Sequence, residues 1–588
     1  MRIVAQSTET TDWVSRFADE VIEESERRAP GAKHPGAAAP VVVVASGLSP
    51  SGPIHLGNLR EVMTPHLVAD EIRRRGHTVR HLISWDDYDR YRKVPAGVAG
   101  VDDSWAEHIG KPLTSVPAPV GSAYPNWAEH FKAAMTEALA ELGVEYDGIS
   151  QTEQYTAGTY REQVLFAMKH RGDIDAILDQ YRTKKAPAKK QQGQKPVDEA
   201  ELEAAEGSGA AAEDDGSSAS GYYPYKPYCG QCDKDLTTVT AYDDTTTELS
   251  YTCSACGFAE TVLLSEFNRG KLVWKVDWPM RWAYEGVIFE PSGVDHSSPG
   301  SSFQVGGQIV GLFGGKQPIG PMYAFVGISG MAKMSSSKGG VPTPADALQI
   351  MEPQLLRWLY ARRRPNQSFK IAFDQEIQRL YDEWDKLAGK VADGSVLPAD
   401  AAAYSRAVRT AAGDLPRTPR PMAYRTLASV ADITAGAEDQ TLRILSELDP
   451  ENPLASLDEV RPRLDKAETW INTQVPAEER TVVRDEPDAE LLKSLDDQGR
   501  ESLRLLLEGL EANWSLDGLT HLVYGVPKVQ AGFPADATAK ELPAEIKVAQ
   551  RTFFARLYHL LVGRDTGPRL PTLLLAVGQD RVRKLLSA

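Results

Sequence analysis

Three groups of residues in this chain have types and spacings that could do chemistry. The first is the run Gly47-Leu48-Ser49-Pro50-Ser51-Gly52-Pro53-Ile54-His55-Leu56-Gly57-Asn58. A histidine and an amide stand there on glycine- and proline-rich backbone, just ahead of a helical stretch. A helix N-terminus offers free N–H groups and positive potential, which suits a polyphosphate. His55 can donate to a phosphate oxygen, and Gly57 lets a base or ribose approach the backbone. The second is Lys333-Met334-Ser335-Ser336-Ser337-Lys338-Gly339-Gly340, with two ammonium groups, three hydroxyls and two glycines. The third is the chain's four cysteines, Cys229, Cys232, Cys253 and Cys256. Their C-x2-C pairs form two knuckles whose thiolates can meet on one tetrahedral zinc with no open position, hence a structural ion. Gly230 and Gly257 suit the turns. Two disulfides are the other reading, a poor one for a cytosolic chain with no spare cysteine.

Each of the first two motifs also has a plainer reading. His55 could simply cap a helix, and a lysine-serine loop could be a solvated turn. Neither is a P-loop. Gly314-Gly315-Lys316-Gln317 comes nearest, but it lacks the first glycine and the hydroxyl residue after lysine.

The elements that must hold these groups can be read from the pattern. Residues 41–44 are a β-branched run that predicts a strand. A Pro/Gly-rich turn and a helix over about 57–75 follow, with Gly76 as its C-cap. Residues 81–85 read as a second strand ending in Asp86-Asp87-Tyr88-Asp89. Strand, loop, helix, strand is the unit of a parallel doubly wound sheet, in which ligands bind beyond the carboxyl ends of the strands. The apolar run 323–328 puts the lysine-serine loop after a strand as well. Ahead of the sheet, Trp13, Phe17 and Val21 recur at helical spacing. Residues 184–220 hold no aromatic residue before Gly221, open with lysines and end acidic and Gly/Ser-rich, so the stretch reads as a disordered insertion. A contact of its lysines with an RNA backbone is the lesser reading. From about Pro344 onward the pattern is helical, with leucine-rich faces around Leu355, Leu503 and Leu557, and predicts an all-α C-terminal half.

Composition sets the outer bounds. The 588 residues carry 42% hydrophobic and 25% charged residues, ordinary for a globular chain of several domains. No apolar run approaches the roughly 18 residues that span a membrane, and no signal-peptide pattern opens the chain, so a cytoplasmic protein without membrane partners is expected. The net charge of -17 does not predict an RNA partner. It describes the mean field and not a local face. The basic clusters Arg73-Arg74-Arg75 and Arg362-Arg363-Arg364 read as solvated helix faces.

The run from Pro50 to Asn58 resembles the HIGH signature of class I aminoacyl-tRNA synthetases, and Lys333-Met334-Ser335-Ser336-Ser337 resembles their KMSKS signature. The surrounding text resembles one branch, the class I lysyl-tRNA synthetases. It includes Ser84-Trp85-Asp86-Asp87-Tyr88-Asp89, Trp274-Lys275-Val276-Asp277-Trp278-Pro279-Met280-Arg281-Trp282, Gly293-Val294-Asp295-His296 and Tyr360-Ala361-Arg362-Arg363-Arg364. The similarity runs from about residue 40 to 370, except the insertion, and is vaguer beyond. Asn58 replaces the last histidine of HIGH and Ser336 the lysine of KMSKS, and both variants suit the lysyl branch.

The resemblance implies a fold and a reaction. After an N-terminal helix and linker (1–40), residues 41–340 would form a Rossmann-type catalytic domain. A connective insertion at about 150–270, with zinc knuckles at 229–256, would interrupt it. A stem-contact region (341–400) and a helical anticodon-binding cage (401–588) would follow. The implied activity is formation of lysyl-adenylate from L-lysine and ATP, then transfer of lysine to tRNA(Lys), with Mg²⁺ on the phosphates and zinc in the insertion. His55, Asn58, Lys333, Ser335, Ser336 and Ser337 would be catalytic. ATP would lie on Pro50, Ser51, Gly52, His55, Gly57, Asn58, Lys333, Met334 and Lys338. By resemblance Gly47, Ser49, Trp274 and His296 fall at amino-acid positions. A buried ammonium needs anionic company, for which Asp86, Asp87 and Asp295 stand at predicted strand ends, with Tyr284 a further candidate wall. A glutamyl- or glutaminyl-type synthetase and a non-catalytic tRNA-binding paralogue are the rival readings. Oligomeric state is not legible.

Overall fold

The computed structural model describes residues 12–28, 41–182, 216–297, 301–329, 340–538 and 542–587. The chain divides into two units. One comprises Met1–Leu348, Pro353–Ile371 and Lys390–Leu415, the other Gln349–Glu352, Ala372–Gly389 and Pro416–Ala588.

The first unit is built on a parallel sheet. Strand β1 (Val42–Leu48) pairs in parallel with β2 (Val79–Trp85), and β2 with β3 (Asp147–Ser150). On the other edge of β1, parallel bridges join Val44 to Phe289 and Phe289 to Ile319. The β-branched run 42–44 is buried on both faces, as a central parallel strand requires. Helix α1 (Trp13–Arg28) and helix α2 (Leu56–Arg74) pack beside it, and the Trp13 indole donates to the Ala361 carbonyl at 2.8 Å. Helix α3 (Trp127–Glu141) leads into β3. Beneath the sheet lies a buried polar cluster. His81 Nε2 lies 3.0 Å from Ser46 Oγ, and His66 Nε2 lies 2.9 Å from Arg357 Nη1. Burial holds both imidazoles neutral, His81 pushed down to about 3 and His66 also well below its usual value.

Several expectations shift. β1 runs on to Leu48, so Gly47 lies within a strand and does not open a loop. α2 starts at Leu56, its C-cap is Arg75, and Gly76 follows with φ +87. The 73–75 cluster is not simply solvated, since Arg75 meets Glu71 at 2.9 Å and Asp19 of α1, and Arg74 meets Asp70 at 3.2 Å. The all-α expectation after 344 fails at two places. The strand Phe369–Ile371 pairs in parallel with Val326–Ile328, and Arg409–Thr410 forms a short hairpin with Gly413–Asp414. Of the stretch read as disordered, residues 216–220 are described and include Ser217–Ser218, paired with Gly221–Tyr222. Residues 183–215 lie outside the described residues.

The second unit is helical over its described residues after 416. Leu503, Leu506, Leu519, Phe553, Leu557, Leu560 and Leu573 form its core. A second focus is the buried pair Arg463–Glu352 at 2.7 Å, beside Tyr381 stacked on Tyr424 at 4.1 Å.

Candidate active site

The N-terminus of α2 joins both readings of His55. His55 is the N-cap, and its Nδ1 accepts from Gly57 N at 3.0 Å. Asn58 Oδ1 accepts from His55 N at 3.2 Å and completes a capping box. With Nδ1 accepting, the ring proton sits on Nε2, which remains a donor. Burial pushes the imidazole down to about 4, so it is neutral at pH 7. The cap therefore prepares the donor and does not compete with it. The chain arriving from the second motif is tied here too, because Leu56 N donates to the Pro342 carbonyl at 3.1 Å and the Tyr360 hydroxyl donates to the Leu56 carbonyl at 2.9 Å. Residues 333–338 themselves lie outside the described residues, as does the side chain of Asp295.

Carboxylates gather at the carboxyl ends of β1 and β2. The register pairs Gly47 with Ser84 and Leu48 with Trp85, and Asp86 N donates to the Leu48 carbonyl at 2.8 Å. From α2, Glu61 reaches back to accept from Gly47 N at 3.2 Å and from the Tyr323 hydroxyl at 2.9 Å. A Cβ on Gly47 would lie 3.7 Å from Asp86 Oδ2 and 3.8 Å from Glu61 Oε1, so the glycine stands between two carboxylates. Glu290 accepts from the indoles of Trp278 at 3.0 Å and Trp282 at 2.6 Å. Among the described residues, Asp86 pairs with Arg281 at 3.0 Å. Among the described residues neither Glu61 nor Glu290 forms an ion pair. Burial pushes Glu61 up to about 8 and raises Glu290. It also pushes Asp86 up to about 7 in spite of Arg281. Three buried acidic groups, two of them without an ion pair among the described residues, leave a pocket that favours a cationic ligand.

An aromatic wall borders these groups. Trp274 stacks on Trp278 at 5.1 Å, and the His296 ring lies 6.3 Å from Trp274 and 5.8 Å from Trp278. The Trp274 indole N–H has no hydrogen-bond partner among the described residues. Because Trp278 also binds Glu290, the wall and the carboxylates form one structure.

Elsewhere in the unit the four cysteine sulfurs lie within 4.8 Å of one another. Cys229 and Cys256 are 3.6 Å apart and Cys232 and Cys253 3.7 Å, well beyond the roughly 2.05 Å of a disulfide. All four are free thiols, and such a group could hold a metal ion. Gly257 turns its knuckle at φ +74, as expected, but in the first knuckle the positive φ falls on Asp233 and not on Gly230.

Comparison with known proteins places this geometry. Residues 11–413 match the family model described as tRNA synthetases class I (K). This chain belongs to that family. A lysine--tRNA ligase of Streptomyces coelicolor is 85% identical over 587 residues, covering 100% of both chains. One of Thermococcus kodakarensis is 32% identical over 556 residues, covering 92% of this chain and 95% of its own. A crystallised glutamate tRNA ligase from Elizabethkingia meningosepticum aligns over 93% of this chain and 99% of its own, with TM-score 0.40 and 12% identity, too loosely for residue correspondences.

In this class I synthetase the structure brings together Gly47, Asp86, Trp274 and His296, and separately His55, Gly57 and Asn58. Ser49 and Ser51 are exposed on the connecting loop, where Gly52 and Pro50 are buried. Asp87 departs from expectation. Its Oδ1 accepts from Thr152 N at 2.8 Å, and its Oδ2 takes the Ser150 hydroxyl at 2.7 Å and Lys132 at 3.0 Å. Those three partners occupy both carboxylate oxygens, so it ties α3 to the end of β3. Tyr284 also stands apart, 44% exposed and edge-on to Tyr160 at 5.1 Å. Sequence reading missed Glu61, Tyr323, Glu290, Asp277 and Arg281. The available signals were an acidic residue six positions beyond His55 and an Asp/Arg pair at i, i+4 inside a tryptophan-rich helix.

Proposed function

We propose that this chain is a lysine--tRNA ligase, which forms lysyl-adenylate from L-lysine and ATP and then passes lysine to the 3′ end of tRNA(Lys). The observation that carries the reading is the unbalanced carboxylate cluster at Gly47. Lysine brings two ammonium groups to it, and a carboxylate substrate such as glutamate would meet repulsion. The family membership and the 85% identity to a lysine--tRNA ligase support the same activity.

In this proposal the side-chain ammonium meets Glu61 and the Tyr323 oxygen, while Gly47, Ser49, Asp86, Trp274 and His296 surround the rest of the amino acid. The lysine carboxylate is ionised at pH 7 and attacks the α-phosphorus of ATP without a general base; the bond to the β-phosphate oxygen breaks and pyrophosphate leaves. The protein's contribution is positioning and stabilisation of charge on the phosphates. His55 Nε2–H and the Asn58 amide hold phosphate oxygens from the α2 side, where backbone N–H groups add positive potential. Lys333, Met334, Ser335, Ser336, Ser337 and Lys338 close from the other side, a pairing that the Leu56–Pro342 hydrogen bond supports. Pro50, Ser51, Gly52 and Gly57 shape the nucleotide's approach. Mg²⁺, which the class uses with ATP, would neutralise phosphate charge when bound with the nucleotide. A terminal ribose hydroxyl of the tRNA then attacks the mixed anhydride and releases AMP.

The strand sequence in the sheet, with β3, β2 and β1 followed by Phe289 and Ile319, supports a Rossmann-type catalytic domain over 41–340. Cys229, Cys232, Cys253 and Cys256 fit a structural Zn²⁺, because four soft thiolates converge and leave no position for a reacting water. Residues 341–400 are assigned to the acceptor stem and 401–588 to the anticodon. Among the described residues no helix is long and apolar enough to cross a membrane. ATP–pyrophosphate exchange with lysine and with glutamate, assayed separately, tests the reading. Lysine-dependent exchange is expected, and exchange driven by glutamate alone would overturn it.

A further inference from the structure

A chain of largely buried charged side chains leads through Arg281 to Asp86 of the amino-acid pocket, and three of its members, Lys271, Asp89 and Asp277, have no assigned task. It begins at Lys271, on the strand Gly270–Leu272, which pairs with Tyr225–Pro227 just ahead of the first cysteine knuckle. Lys271 Nζ lies 2.5 Å from Asp89 Oδ1 and 3.8 Å from Asp277 Oδ2. Asp277 is fully buried, and its Oδ1 takes the Tyr155 hydroxyl. Its Oδ2 lies 3.2 Å from Arg281 Nη2. Arg281 Nη1 donates to Asp86 Oδ1 at 3.0 Å and to Ser84 Oγ. Asp86 then presents Oδ2 toward Gly47. Charges alternate along this path from the cysteine module to the amino-acid pocket. Other ties hold the same loop. The Tyr228 hydroxyl donates to the Tyr88 carbonyl at 2.5 Å, and Arg90 lies 3.6 Å from Asp235.

A structural salt bridge placed here at random would be costly. Burying ions is costly unless the geometry is good, and an apolar cluster of equal volume often serves stability as well. The arrangement earns its place if it fixes something that apolar packing cannot, namely the position of a charged carboxylate. Arg281 alone has to serve both Asp86 and Asp277. Without Lys271 it would be drawn toward Asp277 and Asp89, and away from Asp86.

We propose that Lys271 is a positioning residue for the amino-acid site, which acts through Asp277 and Arg281 to fix the Asp86 carboxylate beside Gly47. The proposal rests on the lysine-ligase reading, and steady-state exchange kinetics separate the two. K271M should raise KM for lysine at least about tenfold, since small misplacements of binding groups carry penalties of this order, while KM for ATP stays within about twofold. K271R keeps the charge and should restore most of the lysine affinity. Because K271M leaves Asp89 and Asp277 short of a cation and so endangers the fold, K271M/D89N removes one charge of each sign and keeps the local balance. It should fold and still show the raised KM for lysine, because the link to Asp277 stays broken. A wild-type KM for lysine in the double variant, or equal rises for lysine and ATP, would overturn the proposal. If the unaltered protein shows no lysine-dependent exchange, the functional reading falls and this inference with it.

Discussion

Glu61→Gln is the substitution that most directly probes the charge balance of the pocket. The replacement keeps the side chain's shape and its hydrogen bond with Gly47, and removes only the ionisable oxygen. If Glu61 receives the ammonium of lysine, the variant loses a hydrogen bond to a charged group, worth about 1.5–3 kcal/mol, or about 10–150-fold in KM for lysine. The titration of the residue adds a second signature. Burial pushes its carboxyl up to about 8 in the free protein. Such a group is about one-tenth ionised at pH 7 and half ionised at pH 8. Ammonium binds the ionised form, so wild-type affinity for lysine should rise about fivefold between these pH values. The rise should vanish in the variant. The fold provides a control. A carboxyl whose folded pKa is raised binds more protons in the native state than in the unfolded chain. It therefore destabilises the protein as pH rises above about 4.5. The variant should melt at or above the wild-type temperature at pH 8. Equilibrium dialysis with labelled lysine, together with thermal melts, reads all three effects. A change in lysine affinity below threefold, with the pH dependence intact in the variant, would refute the assignment.

Other outcomes follow from the same structure. Lys333→Ala should cut lysine-dependent exchange at least about a hundredfold, as expected for loss of one preorganised charge-stabilising donor, with circular dichroism unchanged; normal exchange would remove Lys333 from the mechanism. Metal analysis should give about one zinc per chain, and Cys253→Ala should release it and expose residues 225–272 to protease, since closed thiolate sites contribute folding free energy outright. A fully active, metal-free preparation would count against the zinc assignment. His81 titrates near 3 in the folded protein and near 6.5 when unfolded. Its contribution to stability is therefore complete above about pH 6.5 and falls by about 1.4 kcal/mol per pH unit as the pH drops toward 3. His81→Gln should flatten the urea-midpoint profile between pH 6.5 and 4.5; an unchanged slope would show that other groups set the acid limit.

What the sequence reveals here depends on how local the physics is. The cysteine spacing dictates a four-thiol cluster because each pair sits on one short turn, and the sulfurs do converge. The motif at His55 is equally local, since the cap, the box partner Asn58 and the first turn of α2 lie within four residues. The parallel unit at β1, α2 and β2 follows from a β-branched run and a turn, although β1 extends through Ser46 and Gly47, whose types give no strand signal. The carboxylate pocket is not local. Glu61 looks like any helical glutamate until Tyr323 and Gly47 are folded against it, and Glu290 acquires its meaning from two indoles supplied by another segment. Asp86 and Asp87 are adjacent and identical in type, and only tertiary packing separates them. One ends beside Gly47, while the other is filled by Lys132, Ser150 and Thr152. The strand Phe369–Ile371 is likewise invisible in a helical context, because the strand it pairs with among the described residues lies some forty residues upstream.

The central claim is that one triphosphate is held between His55 and Lys333, with a lysine ammonium on Glu61. A crystal structure of the protein with L-lysine and a non-hydrolysable ATP analogue tests it most directly. The expected result shows His55 Nε2 and the Lys333 ammonium each within hydrogen-bond distance of the phosphates, and the ligand's side-chain nitrogen in contact with the Glu61 carboxylate. A triphosphate bound away from the α2 N-terminus, or a lysine side chain directed away from Glu61, would contradict the account.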